Sequence, residues 1–104
     1  MSNQVREIPH PEVEQFDLAT ILRTCGEPVR LALIRLLADG RERMCGDLAA
    51  ALEMPISTTS YHLRLLREAG VTRTRPAGTG RWISLRRDDL DATYPGLVDV
   101  LLGR

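Results

Sequence analysis

Along this chain the spacing of apolar residues passes from a helical period to an alternating one before it turns helical again. The change comes directly after two short helical segments separated by a tight turn. Leu18, Ile21, Leu22 and Cys25 recur at i, i+3, i+4 and i+7. They form one stripe of a helix predicted over about residues 13–24 and ended by Gly26. Pro28 opens a second helix in the favoured first-turn position. From Val29 to Ala38 only Arg30 and Arg35 are polar, so this helix belongs at the centre of a domain. Cys45, Leu48, Ala49 and Leu52 repeat the stripe in a third helix, and Glu53-Met54-Pro55 turns the chain. A fourth helix, starting at Pro55 or Ser57 and reaching Ala69, carries Thr59, Leu63 and Leu66 on its apolar side; Gly70 caps it.

Beyond Gly70 the period is two. Residues 71–75 and 81–85 flank Pro76-Ala77-Gly78-Thr79-Gly80, which predicts a hairpin with a glycine-rich tip. Asp88 is placed to cap a last helix that Pro95 breaks or restarts. The layout is mainly α with a β-hairpin wing, in the order α-α-α-α-β-β-α: a winged helix-turn-helix. At 104 residues a single domain is expected, residues 13–104, preceded by a flexible polar arm over residues 1–12. The segment Leu97 to Leu102 is more apolar than one packed face requires, which points to a partner chain.

The formal net charge of zero conceals a strong asymmetry. From Met54 to Arg87 there are 7 Arg and one acid, Glu68, while both flanks carry more acids than bases. A cationic block between acidic flanks points to a polyanion partner for that block alone. Every basic residue is Arg; this suits phosphate and guanine recognition, although genome composition explains it as well.

A helix that reads DNA needs one apolar side to hold it down and short polar groups on the other to reach base edges. Away from the Thr59–Leu63–Leu66 stripe the fourth helix offers Ser57, Thr58, Ser60, Tyr61 and Arg64. Arg64 and Arg67 follow one and two turns down, where phosphate or guanine contact is expected. The hairpin carries Arg73, Arg75 and Arg81 around a tip with little bulk, suited to phosphates or the adjacent minor groove. Taken alone, such a helix face is a solvated surface and such a hairpin a charged edge. Their adjacency across a tight turn favours DNA.

The run Asp47-Leu48-Ala49, followed by Ser57-Thr58-Thr59-Ser60-Tyr61-His62-Leu63-Arg64-Leu65-Leu66-Arg67-Glu68-Ala69-Gly70-Val71, resembles the ArsR/SmtB family of regulators. The resemblance covers about residues 16–102 and implies the winged fold. It also implies a homodimer joined through the first and last helices, on a DNA operator of imperfect twofold symmetry, usually repressing transcription. Carried over by position, Ser57, Thr58, Ser60, Tyr61 and Arg64 face the major groove, and Arg75, Thr79 and Arg81 belong to the wing. Phe16 in the first helix and Leu97, Val98, Leu101 and Leu102 in the last are the expected dimer contacts. Pro55 and Ile56 depart from the family pattern at the start of the reading helix.

Members of that family that sense metals carry Cys-Val-Cys-Asp in the third helix. Here the same positions read Met44-Cys45-Gly46-Asp47, and no His follows His62, so no metal site is expected. Cys25 and Cys45 each lie on an apolar stripe and read as small core residues in a reducing cytosol. The sharper alternative is a redox switch between them, or a soft thiophilic site including Met44. His62 reads as packed or phosphate-contacting. No nucleophile–base pair or phosphate-cradling glycine loop marks an enzyme, and no cofactor is implied. No apolar run approaches the ~20 residues that span a bilayer, and the N-terminus lacks a signal-peptide pattern, so a cytoplasmic location is expected. The sequence names no small-molecule effector. A winged-helix protein-docking module and a ligand-gated sensor stand as alternatives to the DNA-binding regulator.

Overall fold

In a computed structural model, which describes residues 8–104, the second, third and fourth helices and both hairpin strands keep their expected bounds within two residues. The first helix, α1, spans Leu18–Cys25 rather than starting at Val13. Val13–Gln15 forms a separate 3-10 turn, because Asp17 takes the N-cap position. Its carboxylate accepts from the Thr20 amide at 3.0 Å and from the Thr20 hydroxyl at 2.6 Å. Helix α2 spans Pro28–Leu36, and the Glu27 carboxylate accepts from the Arg30 amide at 2.9 Å. Its Leu33 and Ile34, with Leu37 just beyond, have no exposed surface, as a helix apolar on every side requires.

Helices α3 (Cys45–Ala51) and α4 (Ile56–Ala69) form the helix-turn-helix. A two-residue strand absent from the expected order, β1 (Arg43–Met44), precedes them. It pairs with β3 (Gly80–Leu85), which pairs in turn with β2 (Thr72–Ala77), giving an antiparallel sheet ordered β1-β3-β2. The hairpin is tighter than expected: Ala77 pairs with Gly80, leaving only Gly78 and Thr79 in the turn. Gly78 takes φ +59°, the left-handed geometry that two-residue hairpins favour.

The last helix is split into α5 (Arg87–Thr93) and α6 (Leu97–Leu101), with Gly96 at φ +90° between them. Val98 is fully buried and Leu101 is 8% exposed, both within the single chain's core beside Ile21, Leu33 and Leu90. Both are therefore core groups of one chain. Leu97 and Leu102 pack partly against the same core. Phe16 is also occupied: its ring lies where a Cβ on Gly70 would sit, and the Arg86 guanidinium stacks over it at 5.0 Å. The apolar side chains left outward are Leu18 and Leu22 on α1 and Val100 on α6, the last 70% exposed.

The expected free arm is corrected over residues 8–12; residues 1–7 lie outside the described residues. The Thr74 amide donates to His10 Nε2 at 2.9 Å, and Arg86 Nη1 donates to the Pro11 carbonyl at 2.8 Å. His10 and Pro11 are thus fastened to the edge strand β2 and to the start of α5.

Candidate nucleic-acid interface

Helix α4 is held down by Thr59, Leu63, Leu66 and Ala69, all buried. Thr59 also donates its hydroxyl to the Pro55 carbonyl at 3.1 Å, closing the first turn. The helix begins at Ile56, and no side chain caps its first amides, which stay open to an outside acceptor. The preceding turn places Glu53 at φ +52°, a left-handed conformation uncommon for a residue with a Cβ. Ser57, Thr58, Ser60, Tyr61 and Arg64 are exposed together, as expected, and Ile56 joins them at 61% exposure. Arg64 lies 5.6 Å from the centre of the Tyr61 ring, which holds both groups on one side of the helix.

His62 points the other way, into the body. Arg30 Nη1 donates to its Nδ1 at 3.2 Å while Arg30 Nε donates to the Thr24 carbonyl, so α4 is tied to the α1–α2 junction. Glu27 Oε2 stands farther from the same nitrogen, at 3.9 Å. Because a guanidinium only donates, Nδ1 is the acceptor in this contact. His62 is therefore a packing residue.

The cross-strand register sorts the wing arginines. Residues opposite one another in an antiparallel pair share a face, and successive residues alternate. The pairs Thr74–Ile83 and Pro76–Arg81 lie on the side toward α4, where Thr74 and Ile83 are buried. Arg73 and Arg75 lie on the opposite side with Ser84 and Trp82. There Arg75 makes a two-pronged pair with Glu42, both bonds 2.9 Å, and Arg73 reaches Asp89 at 3.4 Å. The Arg75 bond holds the Glu42 carboxyl below its ordinary range. Of the seven arginines in the cationic block, Arg86 is buried against Asp89 and Arg87 pairs with Asp91 and Asp99. Among the described residues Arg64, Arg67 and Arg81 have no carboxylate partner, and all three line one groove between α4 and the sheet. Thr79 is exposed at the wing tip.

Sequence reasoning placed Arg67 beside Arg64 but missed Glu42 altogether. The partner of Arg75 lies 33 residues away in the chain, across a strand too short to leave a periodic signal.

Burial shapes both thiols. Cys25 is 1% exposed and its thiol is pushed up to about 11; Cys45, half-buried, is also raised, against the nearby Arg81. Few thiolates exist at neutral pH under these conditions, which works against a readily oxidised switch. Among the described residues no cluster of three or more His, Cys, Asp or Glu is arranged to hold a metal ion.

A helix-turn-helix domain model matches residues 26–75. The chain is 37% identical over 84 residues to the uncharacterized HTH-type transcriptional regulator YceK of Bacillus subtilis, covering 80% of this chain and 84% of that one. It is 33% identical over 103 residues to the transcriptional repressor SmtB homolog of Synechocystis, covering 94% of this chain and 76% of the relative. The chain belongs to the ArsR/SmtB family of winged helix-turn-helix regulators. Among solved structures, the homodimeric winged helix-turn-helix DNA-binding domain Mb0332 from Mycobacterium bovis superimposes with a TM-score of 0.69 at 29% identity, over 83% of this chain and 78% of that one. This ArsR/SmtB regulator is thus a DNA-binding transcriptional regulator, and α3 and α4 are its helix-turn-helix.

Proposed function

We propose that two copies of this regulator pair on an operator of imperfect twofold symmetry, in the cytoplasm, and repress the adjoining genes. Each copy lays α4 in a major groove, the two helices ~34 Å apart along the duplex. Ser57, Thr58, Ser60 and Tyr61 read base edges, and Arg64 and Arg81 supply most of the phosphate attraction, with Arg73, Arg75 and Thr79 at the wing as auxiliaries. The single observation that carries this reading is the continuous exposed surface from Ser57 to Arg64 beside the unpaired Arg81. Residues 13–104 act as one DNA-binding and dimerisation unit.

The pairing surface is the apolar remainder of α1 and α6: Leu18, Leu22 and Val100, with Leu97 and Leu102 at its margin. Leu22→Glu should yield monomers in sedimentation while the fold survives. Val98→Ala should instead lower stability by roughly 1 kcal/mol or more, as for a truncated core side chain, and leave the dimer in place.

Fluorescence anisotropy against the chain's own promoter region, at several salt concentrations, tests the whole reading. Tight, selective binding that weakens steeply with salt is expected. Absence of selective binding at every salt concentration would reassign the surface to protein docking.

A further inference from the structure

The large apolar side chains left in the open among the described residues fall into two sets. Leu18, Leu22 and Val100 belong to α1 and α6, the surface assigned above to pairing, whereas Ile56 and Tyr61 belong to α4. Tyr61 has a hydroxyl to offer, and its ring packs edge-on to His62 and lies beside Arg64. Ile56 has no polar handle. It is 61% exposed and belongs neither to the core nor to the partly buried layer packed against it. Packing within one chain therefore does not account for an isoleucine at this position.

The backbone under Ile56 is firmly held. Pro55 precedes it at φ −58°, and the Pro55 carbonyl accepts both the Thr59 amide at 3.0 Å and the Thr59 hydroxyl at 3.1 Å. Thr59 is fully buried, so this first turn is anchored to the body of the domain. A β-branched side chain in a helix keeps one strongly preferred χ1 rotamer. Ile56 thus presents a fixed apolar surface at the head of α4, one turn before Ser60 and on the same flank.

We propose that Ile56 is a specificity-determining residue that packs on the 5-methyl group of an operator thymine in the major groove. The contact rests on the DNA-binding reading above. In helix-turn-helix proteins the N-terminal residues of the second helix are the ones that reach base edges. Of the groups that the four bases display in the major groove, the thymine methyl is apolar and the rest are hydrogen-bond donors and acceptors. An isoleucine set against a donor or acceptor strips it of water and returns no hydrogen bond. Against a methyl group it releases water from both surfaces. The hydroxyls of Ser57 and Ser60 discriminate weakly, because a hydroxyl both donates and accepts. Ile56 supplies a selection for thymine that those neighbours lack.

The test titrates the full chain by fluorescence anisotropy against an operator from its own promoter region. Each thymine is replaced in turn, in both half-sites, by deoxyuridine, which lacks only the methyl group. At one thymine position the parent should lose about fourfold in affinity per half-site, the worth of about one buried methyl-sized group. Ile56→Ala should bind the unmodified operator more weakly by a similar factor and be indifferent to that same replacement. Its thermal midpoint should match the parent's, because the residue lies outside the core, and its salt slope should be unchanged, because no charge is altered. Selective binding by the parent with no thymine whose methyl matters would overturn the proposal. So would a methyl effect that persists undiminished in Ile56→Ala, which would give the contact to another side chain. Absence of salt-sensitive binding to any duplex would remove the DNA-binding reading itself, and this contact with it. Should Ile56→Ala fail to fold, Ile56→Val, one methyl group shorter, decides the matter: the deoxyuridine effect should shrink, and an unchanged effect would overturn the assignment.

Discussion

The two faces of the wing carry the same kind of residue and are prepared for different ends. On the outer face Arg75 is clasped by Glu42 and Arg73 leans on Asp89; on the inner face Arg81 stands with Arg64 and Arg67 over an open groove. A cation already held by a carboxylate must give up that bond, or bring the negative charge with it, before it attracts a phosphate. An unpaired cation gains the whole interaction. The contrast shows that the surplus of arginines between Met54 and Arg87 overstates the field a duplex would meet, because only part of it is uncommitted.

The comparison would be broken or sharpened by a short series of measurements. The largest effect is expected from Arg81→Ala, which should weaken binding to every sequence by about tenfold and reduce the salt slope by about one. Arg75→Ala should cost less than about threefold, since the exposed pair it dissolves is weak and its charge was already matched. Equal losses for the two variants in an anisotropy titration would erase the distinction between the faces.

Glu42→Gln gives the next effect, of opposite sign. Freeing Arg75 and removing a carboxylate from the wing should raise affinity roughly two- to threefold at low salt, and less as salt screens the change. A fall in affinity would mean that Glu42 positions Arg75 for DNA rather than withholding it.

A smaller effect concerns the edge of β2, where His10 accepts the Thr74 amide. Burial holds this imidazole below 6.5, with Arg73, Arg86 and Arg67 contributing against a hydrogen bond to Ile8 that raises it. The depressed value means that the contact stabilises the docked segment above pH 6.5. It is lost as pH falls through the folded-state value, because a protonated ring has no acceptor to offer. Thr74 amide protection, corrected for intrinsic exchange, should therefore drop as pH falls below 6.5, and His10→Phe should remove the dependence. Protection that stays level across that range would show that the segment is held by Arg86 and Pro11 alone.

The smallest effect is expected from reductant. With Cys25 in the core and both thiols raised, operator affinity should be the same with and without it, and a thiol reagent should reach Cys25 only on unfolding. Loss of binding on oxidation would bring the two cysteines back as a switch.

Much of this molecule could be read before any coordinates. Helical spacing located α1 through α4, the apolar girth of α2 placed it at the centre, and alternation after Gly70 announced the wing. The exposed polar face from Ser57 to Arg64 followed from the stripe opposite it. The inward and outward sides of the last segment did not follow, because Leu97 to Leu102 is apolar on nearly every side and such a segment does not announce which residues turn inward. Val98 and Leu101 proved to be core, and Leu18, Leu22 and Val100 the exposed set.

By itself, the sequence determined whatever depends on neighbours within a turn or two: helices, turns, the hairpin, and the polar face of α4. The hairpin's exact pairing, the strand β1, the docking of residues 8–12 and the division of arginines between bound and free were decided only by tertiary structure. The reason is distance along the chain. Arg75 meets Glu42 33 residues away, His10 meets Thr74 64 residues away, and Arg86 meets Pro11 75 residues away. Local periodicity carries no record of contacts that the packed core alone brings together.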